Sequence, residues 1–215
     1  NDCIGRSQGS LIAPFGSDDV MLPDRIKTQV DYMWGKPEVG ICAGNIQTIN
    51  SSGEAVPKRD RERSFSRLDF DDVFMHKKKG APAPTLLFRR EVLGKVGGFD
   101  ENIKLEDLLI ALKITHAGYF IDVLPDVFAK YRLHGENSHK NRRFMVDNVF
   151  KTYAQFKSHP AYPEVRARFI NSMLLKCARG DKALARELLG QLPLRYWNRK
   201  TLRAIGRFIM SSPAR

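Results

Sequence analysis

Cysteine is scarce in this chain of 215 residues: Cys3, Cys42 and Cys177 are odd in number and far apart, with no CxxC pair and no histidine at ligand spacing. That excludes a disulfide framework and a cysteine-based zinc site, and it predicts three buried thiols in a reducing compartment. Long hydrophobic runs are missing too, since none approaches the roughly 18 residues that a helix needs to cross a bilayer. The opening NDCIGRSQGS does not join a basic region to an apolar stretch as a secretory signal does. A cytoplasmic or membrane-peripheral protein is expected. Strict repeats and low-complexity tracts are also absent, and a composition of 42% hydrophobic and 28% charged residues excludes a largely disordered chain.

What the chain has in excess is positive charge, and it is unevenly placed. The formal net charge is +12, yet residues 141–215 hold 16 of the 36 Lys/Arg and only four of the 24 Asp/Glu, so residues 1–140 carry 20 of each. Two modules follow: a neutral 1–140 and a basic 141–215 that faces an anionic partner such as phospholipid, nucleic acid or a phosphorylated substrate. The charge alone would also suit a non-catalytic binding module for nucleic acid or a protein partner. Nothing in the chain matches a motif that reads RNA or DNA, and no aromatic-basic interleaving supports single-strand binding.

The first module alternates strand and helix patterns, which predicts an α/β domain. SLIAPF (10–15) reads as a buried strand that runs into Gly16-Ser17-Asp18-Asp19. Pro23 then suits the first turn of a helix with Ile26, Val30 and Met33 on its apolar face, ending near Gly35. VGICAGNIQTI (39–49) is rich in β-branched residues, NSSGE (50–54) is turn chemistry, and the charged stretch from there to about 80 reads as an exposed excursion. PTLLF (84–88) is a further strand and RREVLGKV (89–96) a short helix stopped by Gly97-Gly98. LEDLLIALKITHAG (105–118) places Leu105, Leu109 and Leu112 on one helical face with Gly118 as its cap. YFIDVL and VFAKY read as two strands separated by Pro125-Asp126. Beyond 141 the pattern is helical, with one stripe of Val165, Phe169 and Met173 and another of Leu202, Ile205 and Ile209. The last stripe is expected to pack on the preceding helices or to lie, with Arg199, Arg203 and Arg207, on an anionic membrane.

Three places carry chemistry. Asp18 and Asp19 follow a strand, where open α/β sheets bind ligands, and paired carboxylates there suit a hard divalent cation; an N-cap with a first-turn acid is the plainer reading. Glu106 and Asp107 begin a helix after Gly97-Gly98-Phe99-Asp100, so they either complement the helix dipole or present a carboxylate base. Tyr131-Arg132-Leu133-His134 leads into a polar loop ending at Lys140, where arginine and lysine suit a diphosphate and histidine suits a metal or phosphate.

GSDDVMLPDRI, then GGFDE with LED shortly after, then YRLHGENS, in that order and spacing, resemble the core of family 2 glycosyltransferases of the GT-A (Rossmann-like) fold, as in bacterial O-antigen, capsule and teichoic-acid synthesis. The resemblance covers about residues 1–140 and implies an α/β catalytic core followed by an α-helical extension. It implies an inverting, hexosyltransferase-like enzyme using a nucleotide-sugar, UDP-linked by analogy, and Mn2+ or Mg2+. Its partners would be a glycan or polyprenyl-diphosphate-linked acceptor and an anionic membrane surface on the inner face of the cell membrane, with nucleic acid not expected. Asp18 and Asp19 would be the carboxylates of the DXD-type motif for metal and ribose-phosphate, Asp107 the catalytic base with Glu106 beside it, and Arg132, His134 and Lys140 the contacts to diphosphate and metal. Gly16 stands where many relatives have aspartate. The resemblance also implies a nucleotide-binding half of roughly 60 or more residues ahead of this chain, without which the fragment is not expected to turn over a donor.

Overall fold

A computed structural model describes residues 1–56, 63–133 and 141–210. The chain forms two compact units, Asn1–Asn137 and Ser138–Arg215.

The first unit is a mixed sheet with helices. In chain order it contains α1 (Asp2–Arg6), β1 (Leu11–Ile12), β2 (Val20–Met21), α2 (Arg25–Met33), β3 (Val39–Ile49), β4 (Ser66–Leu68), α3 (Phe70–Phe74), β5 (Leu87–Arg89), α4 (Arg90–Lys95), α5 (Glu106–His116) and β6 (Phe120–Arg132). The strands lie in the order β1-β5-β3-β6-β2, with β4 also on β6. β3 and β6 run parallel and form the spine, while β4 and β2 share the far side of β6, both antiparallel to it. The β-branched run at 39–49 became β3 because almost every position is buried, as suits a strand covered on both faces.

Several expectations are corrected. β1 is two half-buried residues at the end of the sheet order, because Pro14 and Phe15 turn away into the acidic loop. α2 begins at Arg25, after Pro23, and buries Arg25, Gln29 and Met33, while Ile26 is 38% exposed. Gln29 earns its burial by donating to the carbonyls of Cys42 (2.9 Å) and Thr85 (2.8 Å), and Arg25 donates to Gln29 (3.0 Å) and the Leu86 carbonyl (3.0 Å). The charged excursion is not exposed throughout, because β4 and α3 bury Leu68, Val73 and Phe74, with Asp69 and Asp72 forming a reciprocal cap. YFIDVL and VFAKY are one strand, β6. Between the pairs Ala43↔Val123 and Asn45↔Val127, β6 takes four steps to two on β3, so Pro125-Asp126 bulges out of the ladder. The Asn45 amide ties that bulge down by donating to the Pro125 carbonyl at 2.7 Å. Of the cysteines, Cys42 and Cys177 are buried but Cys3 is exposed.

The second unit is helical: α6 (Arg142–Ala154), α7 (Tyr162–Cys177), α8 (Lys182–Gly190) and α9 (Arg199–Met210). Its core gathers Val146, Ile170, Leu174, Leu184, Leu188 and Ala204 with their neighbours. Asn141 and Asp181 cap α6 and α8 by accepting from the third backbone N–H. Among the described residues, no helix is long and apolar enough to cross a membrane.

Candidate active site

The loop between β1 and β2 presents Asp18 and Asp19. Gly16 makes their approach possible: a Cβ there would lie 2.9 Å from an Asp18 carboxylate oxygen and 3.5 Å from one of Asp19. Asp19 accepts the backbone N–H of Arg132 at 2.9 Å, which fixes the loop to the end of β6. The Arg132 guanidinium donates to the carbonyls of Asp18 (2.8 Å), Asn50 (3.2 Å) and Ser51 (3.0 Å). It thus clamps the acidic loop to the turn after β3.

Glu106 and Asp107 form the first turn of α5, whose N-cap Leu105 offers no side-chain bond. Asp107 accepts the Leu108 N–H at 2.7 Å. The segment ahead of them positions the helix. Gly97 and Gly98 take left-handed φ values of 76° and 64°, open to glycine without strain. Gly98 donates back to Leu93 (2.9 Å) and Lys113 reaches forward to the Gly98 carbonyl (2.9 Å). Phe99 packs edge-on against Phe88, with ring centres 6.0 Å apart.

A cavity of about 610 Å³ brings these parts together. Gly16 and Asp19 line it from the acidic loop, Glu106 and Asp107 from α5, Phe88 and Tyr131 from the sheet, and Leu86 from just ahead of β5. Of the expected residues it gathers Asp19, Glu106 and Asp107, with Asp18 beside Gly16 and Arg132 holding the loop from outside. His134 and Lys140 lie outside the described residues.

Two contributors were missed in the sequence. Tyr131 lines the cavity, and burial and then the negative charges of Asp19 and Asp18 push its hydroxyl above the usual tyrosine range. Its place beside Arg132 in YRLH was the available signal. Arg25 stacks its guanidinium 5.2 Å over the ring of Phe15, a cavity residue, and burial brings the guanidinium down to about 10. A Pro-Asp-Arg-Ile helix start offers no sign that its arginine points inward.

Among the described residues there is no group of three or more His, Cys, Asp or Glu placed to hold a metal. The two loop carboxylates are hard oxygen donors of the right type for Mg2+ or Mn2+, but they fill only part of a six-ligand shell. They fit a cation whose remaining ligands come from phosphates and water.

No protein-family model matches the chain. It is similar to the O-antigen biosynthesis glycosyltransferase WbnJ of Escherichia coli, with 29% identity over 146 residues covering 66% of this chain and 54% of that protein. The chain spans about half the length of the curated relatives it matches. In fold it is similar to S. aureus TarS, with a TM-score of 0.60 at 14% identity over 91% of this chain and 36% of that one. It is also similar to the mannosyltransferase PcManGT from Pyrobaculum calidifontis, solved with GDP-Man and Mn2+, with a TM-score of 0.52 at 16% identity over 97% of this chain and 64% of that one. The architecture is therefore the α/β fold of GT-A-like glycosyltransferases followed by a helical part, and the chain's sequence relatives are glycosyltransferases.

Proposed function

We propose that this chain carries the acceptor-activating part of a metal-dependent, inverting glycosyltransferase that moves a hexose from a nucleotide-sugar to a glycan or polyprenyl-diphosphate-linked acceptor. The observation that supports it is the single cavity shared by the loop carboxylate Asp19 and the helix carboxylates Glu106 and Asp107, which come from distant parts of the chain.

In this reading Asp107 accepts the proton of the acceptor hydroxyl as that oxygen forms its bond to the anomeric carbon from the face opposite the nucleotide. The bond from the anomeric carbon to the diphosphate oxygen breaks in the same displacement, which inverts the sugar. Glu106 holds the acceptor. Asp18 and Asp19 would hold a divalent cation, and when bound it supplies Lewis-acid neutralisation of the departing diphosphate. Arg132 keeps the two carboxylates together and, with Lys140, would add positive charge toward the phosphates, while His134 would contact the cation. Tyr131 and the phenylalanines of the wall limit water, which would otherwise compete with the acceptor. A UDP-sugar is the first donor class to test.

The decisive experiment is Asp107→Asn in the longest gene product that carries this chain. The amide keeps the shape and loses the proton acceptor, so sugar transfer should fall on the order of 100-fold to 10,000-fold while donor binding, read by calorimetry, stays within a few-fold. Transfer that survives within a few-fold would remove Asp107 as base.

A further inference from the structure

The helix α9 has a buried side, an exposed apolar side and a basic side, and the first packs within its unit. Thr201 and Ala204 are fully buried; the Thr201 hydroxyl bonds to Asn171 of α7. Phe208 packs on the helical core, with the Lys182 ammonium 5.2 Å and the Arg186 guanidinium 5.6 Å from its ring centre. These contacts fix the rotation of the helix. At about 100° per residue, Leu202 and Ile209 fall on one line roughly a third of a turn from that seam. They are 63% and 74% exposed, and the neighbouring Met210 is 87% exposed. The sequence stripe Leu202-Ile205-Ile209 therefore does not pack as a unit, since only Ile205 is half-buried. Arg199, Lys200, Arg203 and Arg207 occupy the remaining third, and the helix has no acidic residue at all. The segment leading into it adds Leu194, 76% exposed, and Trp197, 37% exposed.

We propose that this face of α9 docks on an anionic lipid bilayer, Leu202 and Ile209 entering the headgroup boundary and the arginine row meeting the lipid phosphates. The proposal does not rest on the transfer reading. An exposed apolar line beside a cationic one is what an interfacial helix requires. Nucleic acid would satisfy the arginines and leave the leucine and isoleucine in water. A second copy of this chain would bring the same arginine row against itself, in a unit whose residues 141–215 hold only four acids, so like charges would oppose the pairing.

The test is co-sedimentation of the full chain, without donor or acceptor, with vesicles of phosphatidylcholine alone or mixed with phosphatidylglycerol. Three proteins are compared: the wild type, Leu202→Ser/Ile209→Ser and Arg199→Gln/Lys200→Gln/Arg203→Gln/Arg207→Gln. The wild type should bind the mixed vesicles and not the neutral ones, and should release as salt rises. The charge variant should lose about fivefold in partitioning per residue replaced, and the apolar variant about tenfold in all. All the replaced side chains except Arg207 lie on the exposed surface, so circular dichroism melts should match the wild type and a loss of binding would not be a loss of fold. Wild-type indifference to both vesicles, or both variants sedimenting like wild type, would overturn the proposal. A dimer seen by light scattering that the apolar variant abolishes, with no vesicle binding, would overturn it in favour of a second copy.

Discussion

Asp107 and Glu106 are neighbours on one helical turn, and neighbours on a helix do not face the same way. Both nevertheless line the same cavity, from the first turn of α5. In the proposed function this lets one carboxylate meet the reacting hydroxyl while the other meets a different part of the acceptor. A single glycine sets the β6 bulge. A Cβ on Gly44 would lie 2.3 Å from the Phe128 ring and 2.7 Å from the Asp126 carbonyl, the second of which is backbone and cannot turn aside. Gly44→Ala should therefore destabilise the protein toward the upper end of the roughly 1–3 kcal/mol typical of overpacking. Urea unfolding would measure it, and a midpoint equal to wild type would mean that the β6 bulge is softer than its contacts suggest.

At the scale of elements, what could be read from the sequence was whatever advertised itself by apolar content. β3, α4, α5 and the glycine stop at 97–98 all did so. β4 and α3 did not, because Leu68, Phe70 and Phe74 sit among charged residues; the capping pair Asp69 and Asp72, interleaved with two phenylalanines four apart that stack at 5.1 Å, was the signal available. α2 misled in the opposite sense, because its buried face is written in arginine and glutamine that serve backbone carbonyls, and a count of apolar positions cannot see hydrogen bonds. The candidate site was legible as motifs and not as geometry: the acids were found, but neither the tyrosine beside them nor the clamp made by Arg132 was. β4 also brings a two-pronged ion pair. Arg67 meets the fully buried Asp122 through two bonds of 2.8 and 2.7 Å, and Tyr32 donates to the same carboxylate at 2.8 Å. Burial, then that bond, pushes the tyrosine hydroxyl up to about 12, and the carboxylate holds the guanidinium above its usual range. Removing one partner strands a buried charge, so Arg67→Ala should cost roughly 3–5 kcal/mol. Adding Asp122→Asn should recover part of the loss, and a strictly additive double mutant would show that the pair is not coupled.

For the whole molecule, the question is how the metal site proposed at the two loop carboxylates would become complete. Asp18 and Asp19 are too few to hold Mn2+ tightly, and one Asp19 oxygen is already engaged by the Arg132 N–H. A nucleoside diphosphate would add two or more oxygens and opposite charge, so cation and nucleotide should bind together far better than either alone. Any ligand that binds only the folded chain stabilises it by RT ln(1 + [L]/Kd), about 2.7 kcal/mol at a hundredfold excess over Kd. In a thermal melt of the longest gene product that carries this chain, Mn2+ alone should move the midpoint little and UDP alone little more. The two together should raise it by several degrees, since a domain of this size gains roughly 2–4 °C per kcal/mol. EDTA should reverse the gain, and Asp18→Asn/Asp19→Asn should remove the Mn2+-dependent part while keeping whatever UDP gives alone. A joint shift that persists in the double asparagine variant would place the cation elsewhere, and equal shifts with and without Mn2+ would mean that the donor phosphates are neutralised by the chain's own cations.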